Sequence, residues 1–232
     1  MIAVLTPLEW EAIRISVTVG VCAVLLISPV AIAAAWLLAR RDFPGKSLLD
    51  AVLHLPLVLP PVVVGYLLLV TLGREGPIGS LVYDLTGLNI AFTWRAAALA
   101  SAVIAFPLMV RAVRLSIEAV PQELEETAYT LGASPLRVFR TVTLPLALPG
   151  VLAGAVLAFA RSLSEFGATI TFAANIEGQT QTLPLALYTL SQTPGGELAA
   201  ARLCLIAVGL AFATLLASEW LARRLQRATV IR

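Results

Sequence analysis

The sequence predicts an all-α integral membrane protein, and two observations lead to that fold class. The mean hydropathy is +0.91, and 59% of the 232 residues are hydrophobic while 13% are charged, whereas about a quarter of the residues in ordinary soluble domains are charged. Backbone groups within lipid must be hydrogen-bonded inside their own segment, and the apolar runs lack the alternation of a membrane β-strand, so we expect helices. A chain of this length holds five or six spans of about 20 residues, so residues 1–232 are predicted to form a single transmembrane domain.

Five apolar segments are the candidates for these spans. They cover residues 13–39, 53–72, 96–110 with its extensions, 146–174 and 203–221. The first and fourth are longer than a span needs, which predicts tilt or extension beyond the bilayer. The stretch TLPLALYTL at 182–190 predicts a short re-entrant or additional helix, so five spans are expected and six are the alternative.

The second segment contains Pro56, Pro60 and Pro61. Each proline removes a backbone donor and clashes with the preceding turn, so this helix should be kinked or broken. Broken helices occur at membrane depth where they are buried in protein or line a watery cavity. A structural kink and a pathway-lining role for Pro60 and Pro61 are both open interpretations.

The basic residues predict the orientation in the membrane. They concentrate in three polar segments that alternate along the chain, and the positive-inside rule places such segments on the cytoplasmic side. The N-terminus is therefore expected outside and the C-terminus in the cytoplasm. The basic residues concerned are Arg40, Arg41 and Lys46 after the first segment, Arg111, Arg114, Arg137 and Arg140 between the third and fourth, and Arg223, Arg224, Arg227 and Arg232 at the end of the chain.

Residues 118–145 are a long polar interruption between the third and fourth segments, and their first half predicts a short helix. Pro121 suits the first turn of a helix, and acidic side chains at 123, 125 and 126 favour its positive end. Leu124, Ala128 and Leu131 recur at helical spacing and give one narrow apolar stripe.

The second half of the interruption predicts a turn and a second short helix. Gly132 is suited to the left-handed conformation that ends a helix, Ser134 and Pro135 are typical of its first positions, and Pro145 is expected to end it. Helices this short are only marginally stable alone in water, and the acidic side chains oppose an anionic cytoplasmic leaflet. A groove on a partner protein is therefore the expected binding surface.

This interruption resembles the cytoplasmic loop of the permease subunits of binding-protein-dependent ABC importers, which has the form E-A-A, three residues, G, nine residues, I-x-L-P. Thr127 and Val142 stand where that family has alanine and isoleucine. In the family this loop is a coupling helix that docks into a cleft of the ATPase subunit. The resemblance implies a role in ATPase coupling for Glu123, Glu125, Glu126, Thr127, Ala128, Gly132, Ala133, Ser134, Val142, Leu144 and Pro145.

Two further stretches, LHLPLVLPPVVVGYLLL and FARSLSEFGATITF, resemble molybdate-transport permeases, with sulfate permeases next, and residues 9–223 can be followed along the molybdate type. Ser164 stands where that type has glycine. The resemblance implies the type I ABC importer permease fold in a cell (inner) membrane. It also implies a homodimer of the permease, two cytoplasmic ABC ATPase subunits that bind ATP and Mg, and an extracytoplasmic oxyanion-binding protein that supplies molybdate or tungstate.

Arg161 and Glu165 are the deepest charges and lie four residues apart on the fourth segment. Ionisable groups inside a membrane are rare and face a cavity or each other. We expect an ion pair that fixes this helix in the bundle; the alternative is a lining role in which Arg161 attracts an oxyanion. Other candidate pathway residues on this segment carry hydroxyl groups: Ser162, Ser164, Thr169 and Thr171.

Other classes of function have little support in the sequence. The GKS sequence at 45–47 lacks the glycine that a P-loop needs five positions earlier, where Arg40 stands. Cys22 and Cys204 lie in apolar segments, which predicts neither a disulfide nor a metal site, and the scattered basic residues do not predict nucleic-acid binding. We expect no catalytic residue, cofactor or metal in this chain. The alternatives are a sulfate or thiosulfate permease and an ion-coupled secondary transporter, which needs matching broken helices in two halves.

Overall fold

The computed structural model describes residues 6–230, and every regular element in that range is a helix. Arg232, one of the C-terminal basic residues, lies outside the described residues. A π-helical turn, Phe139–Thr143, lies between Val138 and Leu144. The helices are α1 (Pro7–Arg40), α2 (Lys46–Val58), α3 (Pro61–Leu72), α4 (Pro77–Thr86), α5 (Trp94–Glu118), α6 (Gln122–Thr130), α7 (Pro135–Val138), α8 (Leu144–Leu163), α9 (Gly167–Phe172), α10 (Leu183–Gln192) and α11 (Glu197–Val230).

Four of these helical stretches are long and apolar enough to cross a membrane: Pro7–Arg40, Trp94–Glu118, Pro135–Leu163 and Glu197–Ala217. The pair α2 and α3 makes a fifth span if the two bent helices are counted together. The prediction of five apolar helices, the second of them broken, is confirmed. The stretch 182–190 forms the short helix α10, as expected, and α4 is a short helix that the sequence analysis did not anticipate.

The long helices α1, α5 and α8 pack together at the centre of the molecule. Gly150 and Gly154 of α8 lie one turn apart against α5, where a β-carbon at Gly150 would be only 2.1 Å from Cβ of Ser116. Without a hydrophobic force between helices in lipid, close approach of small residues provides the packing contacts. The two glycines therefore set the close packing of α8 on α5.

The second span bends by 110° between α2 and α3. Leu59, at the bend, has extended backbone (φ −70°, ψ 140°), and Pro60 and Pro61 occupy the N-cap and first position of α3. Proline lacks the N–H that a continuing helix would use, but it fits a helix start without loss. The proline pair therefore ends one helix and begins the next.

The prediction of one continuous helix over residues 146–174 is wrong, because α8 ends at Leu163 and α9 begins at Gly167. Oε1 of Glu165, between them, accepts a hydrogen bond from the backbone N–H of Ala168 (2.9 Å). A carboxylate that satisfies an N–H at a helix start offers the chain an alternative to continuing the previous helix. The apolar composition on both sides concealed this break.

The prediction that Pro145 ends the second loop helix is also wrong. The chain passes from α7 through the π-helical turn into α8, where the N–H of Leu144 bonds to the carbonyl of Phe139, five residues earlier. Proline has no N–H to contribute and its ring clashes with a carbonyl one turn earlier. The wider π turn accommodates the ring, so the helix continues through Pro145 into the span.

Candidate functional site

The segment between α5 and α8 forms a bent pair of helices, which we call the elbow (residues 122–138). Gly132, between α6 and α7, has φ of +82°. Its N–H donates to the carbonyl of Tyr129 (2.9 Å), and the N–H of Ala133 donates to the carbonyl of Ala128 (3.1 Å). Together these bonds form a Schellman motif, which satisfies carbonyls at the end of α6 and turns the chain. The predicted glycine corner is confirmed.

The residues beside the corner take the predicted backbone positions. Ser134 is the N-cap of α7 with extended backbone (φ −70°, ψ 156°), but its side chain makes no capping hydrogen bond. The hydroxyl of Thr127 donates to the carbonyl of Glu123 within α6 (2.7 Å). The hydroxyls of the elbow therefore bond within the loop or remain at its surface.

The elbow exposes large apolar side chains. Leu124, Leu131 and Leu136 are 47%, 83% and 59% exposed, and Ala128 is half-buried. The predicted stripe of Leu124, Ala128 and Leu131 thus lies on the polar segment that precedes the membrane-crossing stretch Pro135–Leu163, in which Leu136 is the second residue. A single exposed leucine is ordinary, but several on one short segment indicate a surface that a partner covers.

The three glutamates of α6 have different surroundings. Glu123 and Glu126 are exposed, whereas Glu125 is buried. Nε of Arg40, at the end of α1, lies 3.0 Å from Glu125 Oε2 and 3.2 Å from Oε1. The hydroxyl of Thr143 donates to Oε1 at 2.6 Å. Both carboxylate oxygens of Glu125 therefore have partners within the chain, whereas Glu123 and Glu126 are exposed. Glu125 and Glu126 together line a surface cavity of about 420 Å³.

Arg40 makes a further bond that brings α5 into the same cluster. Its Nη2 donates to the carbonyl of Val120, just beyond the end of α5 (2.9 Å). Thr143, the last residue of the π-helical turn, is buried, and its neighbours Val142 and Leu144 are half-buried, while Pro145 is exposed. We call Arg40, Glu125 and Thr143 the elbow network.

The break between α2 and α3 and the break between α8 and α9 lie against each other. A β-carbon on Gly167, at the start of α9, would lie 3.0 Å from Cβ of Pro61, and one on Gly65 would lie 2.7 Å from the carbonyl oxygen of Ala168. Helices α3 and α9 are therefore packed at backbone distance. Of the predicted pathway residues, Pro61 reaches this contact, and Pro60 is exposed beside it.

The expected ion pair of the fourth segment is present. Nη1 of Arg161 lies 2.8 Å from Oε2 of Glu165, whose side chain is 1% exposed. The other oxygen of Glu165 bonds to the start of α9. Since Arg161 is neutralised by a buried partner, the pair joins the end of α8 to α9 instead of presenting a free cation.

The predicted pathway hydroxyls do not form one surface. Ser162 and Thr169 are buried, and their hydroxyls have no hydrogen-bond partner in the described chain. Thr171 donates to the carbonyl of Gly167 (2.8 Å), and the exposed Ser164 donates to the carbonyl of Arg161 (3.0 Å). Their role in a pathway stays a prediction.

A cavity of about 620 Å³ lies at the N-terminal ends of α1 and α5, the opposite end of α1 from the elbow network. Arg14 and Arg95 line it with Thr18, Trp94 and Glu11. Neither arginine belongs to an ion pair of the described residues, and the guanidinium of Arg95 lies 5.7 Å from the ring centre of Trp94. The cavity thus holds two arginines that form no ion pair among the described residues, together with the carboxylate of Glu11.

Sequence reasoning missed the functional arrangement of Arg40, Thr143, Arg14 and Arg95. Arg40 was considered only as a marker of orientation, and Thr143 has no local signal, because both acquire a role through residues distant in the chain.

Among the described residues, no cluster of three or more His, Cys, Asp or Glu side chains could hold a metal ion.

Comparison with known proteins gives consistent matches. Residues 27–227 match the family described as binding-protein-dependent transport system inner membrane component. The chain is 63% identical to the molybdenum transport system permease protein ModB of Escherichia coli (strain K12) over 220 residues, 95% of this chain and 96% of that protein. It is 60% identical to the protein of the same name from Haemophilus influenzae (strain ATCC 51907 / DSM 11121 / KW20 / Rd), with the same coverage.

Solved structures share the fold at low sequence identity. A bacterial alginate ABC transporter, crystallised in complex with an alginate pentasaccharide-bound periplasmic protein, superposes with a TM-score of 0.74 at 17% identity, covering 94% of this chain and 80% of that chain. An inward-facing MetNI methionine ABC transporter gives a TM-score of 0.66, also at 17% identity, covering 94% of each chain. The helix arrangement is therefore that of ABC transporter membrane subunits.

Proposed function

The chain belongs to the family of binding-protein-dependent transport system inner membrane components, and we propose on this basis that it is the transmembrane permease of an ABC importer that moves molybdate into the cell. The single observation that carries the substrate is the high identity, over nearly the full length of both proteins, to permeases named for molybdenum transport. Tungstate, a tetrahedral dianion of the same kind, is expected to share the route.

We propose that ATP hydrolysis occurs on a separate cytoplasmic ATPase that grips the elbow. The exposed Leu131 and Leu136 provide apolar contacts for a cleft, and Glu123 and Glu126 provide charged ones. A dimer of ATPases that closes around ATP and Mg presents two such clefts, so two copies of this permease related by a two-fold axis would complete the assembly. The elbow then faces the cytoplasm, the N-terminus lies outside, and the C-terminus lies inside.

The cavity lined by Arg14 and Arg95 is where an arriving oxyanion would first meet the permease. Because Arg161 is paired with Glu165, it is a weaker candidate for attracting an anion than Arg14 and Arg95, whose two positive charges exceed the single carboxylate, Glu11, in the cavity that they line. Unpaired guanidinium groups at the mouth of a cleft raise the local concentration of anions without holding them tightly. An extracytoplasmic oxyanion-binding protein that docks over this end would release its anion there.

The deciding experiment is reconstitution of the permease in proteoliposomes with its ATPase and its oxyanion-binding protein. We expect ATP-dependent accumulation of labelled molybdate that excess tungstate suppresses and an equal concentration of sulfate does not. Suppression by sulfate as strong as by tungstate would indicate a sulfate permease. Accumulation driven by an ion gradient without ATP would indicate a secondary transporter and overturn the proposal.

A further inference from the structure

Glu125 is the buried member of three glutamates on one short helix, and the structure explains its burial. Its side chain is 11% exposed and that of Arg40 is 9% exposed. The elbow network connects elements far apart in the sequence: α6 through Glu125, the end of α1 through Arg40, and the start of α8 through Thr143. Through the carbonyl of Val120 it also includes the end of α5.

We infer that Glu125 is a positioning residue that fastens the elbow to the spans, so that movement of the elbow moves α1 and α8 together. The inference rests on the proposed function, because it concerns how a motor attached to the elbow is connected to the pathway. Glu125 is thereby assigned a task different from that of its exposed neighbours, which face the ATPase.

The hydrogen-bonding capacity of the carboxylate supports this assignment. Oε1 accepts from Thr143 and from Arg40, and Oε2 lies against the same guanidinium. Hydrogen bonds between charged groups are shorter and stronger than neutral ones and hold a defined geometry. Both oxygens of Glu125 thus hold α6 to Arg40 and Thr143, even though these three residues also line a surface cavity of about 420 Å³.

The geometry of the elbow explains why such a fastening is needed. α6 has only nine residues, too few to keep its position by its own helical stability. Its two ends are corners of the chain: Pro121 leads into it with extended backbone (ψ 126°), and Gly132 follows it in the left-handed conformation. Without the elbow network, α6 could turn about these two points while the spans stay in place.

The π-helical turn gives the network a direct mechanical connection. Thr143 is the last residue of that turn and lies immediately before α8. A π turn is a local departure from ideal helix geometry that often marks functional sites. A hydroxyl held at 2.6 Å by Glu125 therefore links the position of α6 to the point where the fourth span begins.

The test compares four variants in the assembled transporter: Glu125→Gln, Glu126→Gln as the exposed neighbour, and Thr143→Val and Thr143→Ser, which remove and retain the hydroxyl. The readouts are co-purification of the ATPase, the rate of ATP hydrolysis, and the molybdate transported per ATP hydrolysed. Because Glu125→Gln leaves the buried Arg40 without its counter-charge, we expect transport per ATP to fall about tenfold or more while the ATPase stays bound.

Thr143→Val should lower transport per ATP in the same direction, and Thr143→Ser should restore it. Glu126→Gln should instead weaken ATPase binding and leave transport per ATP unchanged for the complexes that form. The inference is overturned if Glu125→Gln and Thr143→Val transport normally per ATP. It is equally overturned if Glu125→Gln simply releases the ATPase, as the exposed neighbour does.

A second measurement keeps the inference separate from the identity of the transported anion. In a background where Cys22 and Cys204 are replaced by serine, spin labels are placed at Thr130→Cys on the elbow and at Leu8→Cys in the first turn of α1, both exposed, and distances between the two permease copies are recorded with and without ATP. We expect both sites to move in the parent complex and only the elbow to move in Glu125→Gln. Equal movement of both sites in that variant would refute the fastening role even if the substrate were not molybdate.

Discussion

The corner of the elbow allows a prediction in which backbone conformation is the only variable. Gly132 has φ of +82°, and a β-carbon built there meets no atom within 4 Å. A side chain at this position therefore has room, and its cost is the left-handed backbone alone. That cost is about 1–2 kcal/mol for an ordinary residue and more for a β-branched one, whereas asparagine adopts this conformation with little penalty.

A penalty of about 1.4 kcal/mol corresponds to a tenfold smaller population of the correctly bent elbow, so Gly132→Val should reduce ATPase co-purification and molybdate uptake by about tenfold or more. Gly132→Asn, with a side chain of similar volume, should retain both. Each variant is expressed with its ATPase, and membrane content, bound ATPase and uptake are measured together. Equal activity of the two variants at equal membrane content would refute the role of the left-handed corner.

Three other changes test the packing and charge of the spans. Gly150→Ala would place a β-carbon 2.1 Å from a side chain of α5. It should lower the free energy of unfolding of the purified complex by about 1–3 kcal/mol, which thermal unfolding would detect. The control Gly209→Ala, whose β-carbon meets nothing within 4 Å, should leave stability unchanged. Arg161→Glu opposes a buried carboxylate and should reduce membrane content without altering the preference among anions; a clean change of preference at normal content would contradict this. Replacing Arg14 and Arg95 together by glutamine should lower the rate of uptake at low salt and make that rate less dependent on salt concentration. A rate that depends on salt as in the parent would contradict this.

The sequence predicted those features that depend on neighbours along the chain. The proline pair at 60 and 61 acts on its own turn, so the broken second span followed from composition alone. Gly132 and Pro135 are local signals of the same kind, and the corner formed where they stand. Arg161 and Glu165 are one helical turn apart, so their ion pair was also within reach of spacing arguments.

The features that were missed depend on residues distant in the sequence. Glu125 is separated from Arg40 by 85 residues and from Thr143 by 18, and nothing local distinguishes it from Glu126. The break after Leu163 escaped notice because apolar stretches lie on both sides of it and no proline marks it. Pro145 was misjudged for the opposite reason. The rule that proline ends a helix predicted the end of the second loop helix there, but the π-helical turn before Pro145 allows the helix to continue.

Helix α8 connects the two regions that the proposed function requires. Its first turn follows Thr143 in the elbow network, and beyond its last turn Glu165 bonds to α9, which packs on Pro61 at the break of the second span. Twenty residues of α-helix extend about 30 Å, close to the hydrocarbon thickness of a bilayer. Gly150 holds this helix against α5 at backbone distance, so displacement at the elbow is carried along α8 as a unit to the helix breaks. Under the proposed function, a motor bound to the elbow would in this way act on the broken second span without touching it.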